Sequence, residues 1–437
     1  MNFFIFSYII LLSLFFFRKQ TIFYMLISIL VVFFLYNGFI IKNINFNYQD
    51  YWFVFLLTWT YYFIIESNID SRKDIYFLKF LVWLGSLFII LSSNLIIIYI
   101  GLELQTFSLF VLISKNRVLI KSSEAGLKYF ILGALSSGFF LISSITIYSL
   151  FDSIDLIYLC NNYNQYFSFY CLISVLGLSL FFKLSLFPLH FWIPDIYEGS
   201  SSDVLSLIAT LPKISVLSLL LKLQLPLNIL MFVGLSSIII GCLGGLNQTK
   251  IKRLLAYSSI SHLGFTILGI GLFGKISLEI SLVYFLIYII SSIGLLIFLV
   301  WFSDKDDFYI IELSGLQFSF VLWGLIWCVL FLSIAGLPPL SGFLGKWWII
   351  VNLINANYVF FSLIIVIFST ISISFYLRIS KLIYFQPKFS YITWYSVLKP
   401  KKSKELTFYI ISFVLYFSIF GLINPNIWSS LVYFFWI

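Results

Sequence analysis

The sequence predicts an all-α polytopic membrane protein of about fourteen transmembrane helices, with two inverted five-helix repeats and broken helices in each. Three observations carry this expectation. Of 437 residues, 62% are hydrophobic and 10% charged, with a mean hydropathy of +1.07, whereas a soluble domain carries about 25% charged residues. The apolar residues fall into runs of about 20, the length that crosses a bilayer as a helix. Basic residues gather in alternate short loops, the pattern the positive-inside rule imposes on a multi-pass chain.

Taken in order, spans are expected at about 2–17, 21–41, 51–67, 75–92, 94–114, 123–150 and 167–193, then at about 203–224, 228–246, 256–273, 277–302, 317–352, 357–385 and 405–424. The opening MNFFIFSYIILLSLFFFRK lacks a basic n-region, a small-residue cleavage site and an Arg/Ser-rich transit pattern, so it reads as a retained first span. The twelfth run is too long for one straight helix. Pro338 and Pro339, with Gly336, Gly342 and Gly345, must break it partway. The seventh meets a similar break at Pro188.

Loops after odd-numbered spans hold most of the cations, among them Arg18, Arg72, Lys115, Lys250, Arg253 and Lys401; those after even-numbered spans hold only Lys42 and Lys275. A single miscounted span would scramble that alternation. The net charge of +9 therefore reads as membrane orientation and not as nucleic-acid binding. Four cysteines (Cys160, Cys171, Cys242 and Cys328) show no metal or redox spacing, and no disulfide or bound cluster is expected. Heavy use of Phe, Ile, Tyr, Asn and Lys suits an AT-rich coding genome, with an organelle as one candidate.

Spans 4–8 and 9–13 are similar in length, and each contains a proline-broken segment with one lysine. Five is odd, so tandem units of this kind insert with opposite orientation, a layout associated with transport paths. The expected divisions are 1–70 (a three-span extension), 75–224 and 228–385 (the two repeats), and 386–437 (a loop and last span).

Four solitary charges stand inside these spans: Glu103, Lys183, Lys213 and Lys346. Lys346 is the only charge between Glu312 and Arg378. Each costs about 2.5–3.5 kcal/mol on insertion scales, roughly 10–14 kcal/mol if the four add. A chain that only had to sit in lipid would carry leucines there, so a proton or ion pathway is the expected reason. An ionised carboxylate near a buried lysine strengthens that lysine's hold on its proton, and withdrawing it weakens the hold. Helix packing by a buried Glu103–lysine pair is the alternative for Glu103, and snorkelling to an interface is the alternative for a lysine. Snorkelling suits Lys79 and Lys222, which lie nearer span ends. Lys128, about one turn inside its span, is either a path residue or an anchor. His190, beside the break, is a candidate proton relay, while His262 reads as structural. Tryptophans and tyrosines read as interface belts and packing.

The segment FKLSLFPLHFWIPDIYEGSSSDVLSLIATLPKIS resembles the antiporter-like membrane subunits of respiratory complex I over more than thirty residues. GLELQTFSLFVL, EAGLKYFILGALSSG, NQTKIKRLLAYSSISHLGF and GLPPLSGFLGKWW agree with it, in the family's order. The lysine at the break of span twelve fits one branch of that family, where another carries glutamate. The family often has proline at the position of Ser202. The resemblance implies a proton-translocating subunit without redox centres: Glu103 and Lys183 as the coupling pair, Lys213 as central relay, Lys346 as terminal site, and Lys128 tuning uptake. It implies that NADH, FMN, iron-sulfur clusters and ubiquinone belong to partner subunits, and that homologous antiporter-like subunits and membrane lipids are the partners. The expected location is the mitochondrial inner membrane with basic loops facing the matrix, or alternatively a bacterial plasma membrane. The alternative function is a subunit of a multisubunit sodium/proton antiporter or of a plastid-type NAD(P)H dehydrogenase complex. A non-pumping scaffold would have no reason to bear the four charges.

Overall fold

The computed structural model describes residues 48–67, 73–116, 118–156, 167–223, 225–302, 309–314, 321–385 and 405–433. The first two expected spans lie outside these residues. The described elements are helical: α1 (Tyr48–Ser67), α2 (Lys73–Leu91), α3 (Leu95–Ile113), α4 (Ile120–Phe151) and α5 (Phe167–Lys183). They continue with α6 (Trp192–Gly199), α7 (Ser202–Leu223), α8 (Leu227–Leu246), α9 (Ile251–Gly271) and α10 (Lys275–Phe302). After a 3-10 turn at Ile310–Leu313 come α11 (Val321–Ala335), α12 (Ser341–Asn355), α13 (Val359–Tyr384), α14 (Glu405–Phe420) and α15 (Asn426–Tyr433). Among the described residues, eight helices are long and apolar enough to cross a membrane.

Both proline breaks are present. Between α5 and α6 the chain turns through Ser185, at a φ of 60°, and Pro188. Trp192 Nε1 donates to the Phe182 carbonyl at 3.0 Å, satisfying an acceptor at the end of α5. Between α11 and α12 the turn uses Gly336 at a φ of 79°, which a side chain would strain. At Gly342 a Cβ would collide with the Ser333 carbonyl oxygen, so only glycine lets α12 start against the end of α11.

The three most enclosed spans are α7, α9 and α10. α10 has 28 residues, about 42 Å at 1.5 Å per residue, and packs against α1, α7, α9, α11, α12, α14 and α15. The periphery is apolar outward: Leu127, Ile131 and Ile142 of α4 and Phe360, Leu363 and Ile367 of α13 are exposed, as a lipid-facing surface would be.

Several details depart from expectation. α9 starts at Ile251, five residues before the expected limit of about 256, because the basic KIKR stretch begins the helix instead of forming a loop. α15 follows the last expected span as a separate short helix. Lys222 does not snorkel. Its Nζ lies 2.8 Å from Asp50 Oδ1 and bonds to the Ile90 carbonyl, tying α7 to α1 and α2. Lys79 is 1% exposed, likewise inside the protein.

Candidate functional site

Lys213 lies in the middle of α7, directly after Pro212, whose missing N–H leaves the Ile208 carbonyl without its helical donor. Its ammonium donates to the hydroxyls of Tyr197 (3.2 Å) and Tyr288 (3.3 Å) and faces both rings, at 5.8 and 5.6 Å from their centroids. Tyr197 comes from the short α6 and Tyr288 from α10. Ser259 of α9 lies beside both phenols, its own hydroxyl donating to the Ala256 carbonyl at 2.7 Å. The charge thus rests in a cage of phenol oxygens and aromatic faces, which replaces part of its lost hydration.

His262 of α9 is the next polar group. Its ring stacks on Tyr288, with centroids 5.1 Å apart and planes 19° from parallel. Nδ1 lies 2.6 Å from the Tyr284 hydroxyl, and Nε2 lies 3.4 Å from that of Tyr376. The charges of both Lys346 and Lys213 act on the imidazole. His262 therefore stands electrostatically between the two lysines, where sequence reasoning took it as structural. Imidazole and phenol each offer a donor and an acceptor, so such a cluster can pass a proton by exchange.

Lys346, near the start of α12, reaches back across the break. Nζ donates to the carbonyl of Ala335, the last residue of α11, at 2.6 Å, and lies 5.6 Å from the Phe265 ring centroid. A cation at a helix C-terminus meets unpaired carbonyls and the negative end of the dipole. Gly336 makes room for it, since a Cβ there would come within 2.8 Å of Lys346 Cδ.

Lys183 is the last residue of α5. It is buried, and its Nζ has no hydrogen-bond partner. Glu103 of α3 acts on it through space, but the two do not meet in an ion pair. The Glu103 carboxylate instead accepts from Thr106 Oγ1 at 3.3 Å. His190 is buried in the break against Phe191, with Nδ1 unpartnered. No hydrogen bond among the described residues links it to Lys183 or Lys213. Lys128 pairs with Glu124 and Asp195, each at 2.7 Å, at the rim of the helix packing.

Around Asp195 lies a charged cluster that sequence reasoning did not assemble. Arg253 Nη2 lies 2.8 Å from Asp195 Oδ1, and its Nε approaches Glu198 Oε2 at 2.6 Å without hydrogen-bond geometry. Lys250 also bonds to Glu198, and Lys121 lies 3.5 Å from it. Glu198 falls beyond the seventh expected span. Burial alone would raise its carboxyl; the Lys250 hydrogen bond and the charges of Arg253, Lys250 and Lys121 outweigh this and hold it below the usual carboxylate range.

The tyrosines are the main omission of the sequence reading. Tyr197, Tyr284, Tyr288 and Tyr376 are buried and carry the polar site instead of an interface belt. One signal was available: Tyr284 and Tyr288 are four residues apart, which places both hydroxyls on one face of α10. No grouping of His, Cys, Asp and Glu among the described residues has metal-site geometry.

Comparison with known proteins agrees with this geometry. Residues 92–372 match the family described as NADH:quinone oxidoreductase/Mrp antiporter, transmembrane. The chain is 37% identical over 374 residues to NADH-ubiquinone oxidoreductase chain 2 of Metridium senile, covering 82% of this chain and 95% of that one. It is similar to a chain of respiratory complex I from Thermus thermophilus at a TM-score of 0.83 and 25% identity, over 98% of this chain and 97% of that one. The fold is also shared with a chain of the Mrp complex from Dietzia sp. DQ12-45-1b, at a TM-score of 0.80 and 17% identity, over 98% and 91% of the two chains.

Proposed function

Because the chain belongs to the NADH:quinone oxidoreductase/Mrp antiporter transmembrane family, we propose that it is a proton-translocating, antiporter-like membrane-arm subunit working through its buried charges. One observation carries the reading. Lys213, buried in an apolar interior, donates to Tyr288; His262 stacks on that ring and bonds in turn to Tyr284. The charges of Lys213 and of the equally buried Lys346 both act on the imidazole, and these are groups able to give and take protons. In the proposed sequence, Glu103 and Lys183 form the coupling pair. A disturbance from a neighbouring subunit moves Glu103 further from Lys183, and the lysine releases its proton. That proton travels by water to Lys213 and through the His262 cluster to Lys346, where the Ala335 carbonyl receives the charged ammonium. Lys128, held by Asp195 and Glu124, tunes uptake, and His190 is a second relay at the break. In an assembled complex in proteoliposomes, Lys183→Met should lower proton translocation per turnover; unchanged translocation would defeat the scheme.

The reading includes fourteen spans, with residues 1–70 as an N-terminal extension, 75–224 and 228–385 as inverted repeats, and 386–437 as a loop and final span. The two breaks support the repeat, though inexactly: Lys183 ends the leading half-helix α5, whereas Lys346 stands on the trailing half-helix α12 and sends its ammonium back to the end of α11. Location in the mitochondrial inner membrane, with basic loops toward the matrix, is proposed over a bacterial plasma membrane on composition.

Two complexes could house such a subunit. The family's description and the Mrp likeness support the antiporter-type alternative, while the Metridium relative carries an oxidoreductase name of the subunit 2 type. Both assign this chain the same proton chemistry, with homologous membrane subunits as neighbours. Co-purification decides between them: quinone-reducing subunits mark the respiratory complex, and their absence beside other antiporter subunits marks the antiporter.

A further inference from the structure

α6 has eight residues and lies between the break at Pro188 and the turn at Ser200, so it continues no long helix and rests against α4 and α9. Its orientation depends on side chains. Asp195 and Glu198 stand three apart on one face and straddle Tyr197 in sequence, whose hydroxyl accepts from Lys213. A small rotation of α6 that follows the two carboxylates therefore carries the Tyr197 oxygen toward or away from the lysine. Arg253, in the first turn of α9, contacts both carboxylates with one guanidinium. The same helix carries Ser259, beside both phenols of the Lys213 cage, and His262, stacked on Tyr288.

We infer that Arg253 is a positioning residue for Lys213: by clamping Asp195 and Glu198 it fixes α6 relative to α9, and so sets the Lys213–Tyr197 hydrogen bond. The inference rests on the reading of Lys213 as a proton relay. Arginine suits this role because its planar guanidinium meets the two carboxylates from fixed directions, whereas an ammonium on a flexible stem sets no such geometry. Lys250, Lys121 and Lys128 share the carboxylates but do not replace the clamp. Of the two carboxylates, Lys250 and Lys121 pair with Glu198, and Lys128 reaches Asp195 from α4, while Lys252 ties α9 to the Ser200 carbonyl just beyond α6.

The test measures protons translocated per turnover by the assembled complex in proteoliposomes, for Arg253→Gln, Tyr197→Phe, their double variant and Lys213→Met. The clamp predicts that Arg253→Gln loses as much translocation as Tyr197→Phe, and that the double variant loses no more than either. Arg253→Lys should recover only part of the loss. Losses that multiply in the double variant would overturn the inference, because Arg253 would then act independently of Tyr197. Full translocation by Arg253→Gln beside a defective Lys213→Met would overturn it too. Full translocation by Lys213→Met would instead remove the relay reading, and this inference with it. Should Arg253→Gln fail to assemble, Arg253→Lys takes its place in the cycle: a loss shared with Tyr197→Phe supports the clamp, and a multiplying loss or none overturns it.

Discussion

Replacing His262 with phenylalanine separates a relay from a packing residue. The benzyl ring keeps the volume and the stack on Tyr288, now 5.1 Å away, but removes both ring nitrogens. The lost contact that matters is Nδ1 to the Tyr284 hydroxyl at 2.6 Å; the 3.4 Å approach to Tyr376 lies at the edge of bonding and counts for little. Leaving a buried phenol without this partner costs about 1–3 kcal/mol of stability. Transport should suffer far more. A positioned acid–base group typically contributes about 10²–10⁴-fold to a proton-transfer step, so transfer between Lys213 and Lys346 should slow by at least about 10²-fold. The assay pairs proton translocation, followed with a pH-sensitive dye in proteoliposomes, with thermal inactivation of the same preparation. Lost translocation with a modest drop in thermal midpoint is the expected result. A variant that is less heat-stable but translocates fully would refute the relay and return His262 to a structural part.

Asp50→Ala removes one partner of the buried Asp50–Lys222 pair, which should destabilise the protein by about 3 kcal/mol, the low end for such a break because Lys222 keeps the Ile90 carbonyl. Asp50→Ala/Lys222→Met should recover most of that loss in a melting experiment. Gly345→Ala places a Cβ 2.5 Å from Tyr284 Cδ2, pushing the phenol away from His262; a cost of about 1–3 kcal/mol and reduced translocation are expected, measured by melting and dye uptake. Glu198 has its folded-state carboxyl held below the ordinary value of 4.5, so its contribution is complete above that value and is lost as pH falls through the lower one. Wild type should therefore melt higher than Glu198→Gln at neutral pH, with the gap closing in acid.

The sequence was informative wherever one residue type imposes a local consequence. Pro188 and the Pro338–Pro339 pair located both breaks, because a helix interior cannot accommodate them. The cost of a charge in lipid singled out Lys213 and Lys346 as charges inside spans, and both are buried. What surrounds those charges was not legible. Lys213 and Tyr288 are 75 residues apart, and His262 and Tyr376 are 114 apart. In helices apolar on every side, periodicity does not reveal which face meets which neighbour. Lys222 was misjudged for a related reason: its partner Asp50 lies on α1, and nothing near Lys222 in the chain announces that pairing. The charged cluster at Arg253 depends in the same way on α4, α6 and α9 meeting at one end.

The most direct test of the account is proton translocation by the assembled complex carrying Lys346→Met. This substitution keeps a long side chain in the space beside Gly336 and Phe265 but leaves no ammonium for the Ala335 carbonyl. The account predicts a fall in protons moved per turnover while the complex still assembles and sits in the membrane. Translocation equal to that of wild type would show that protons do not leave through Lys346 and would contradict the central claim.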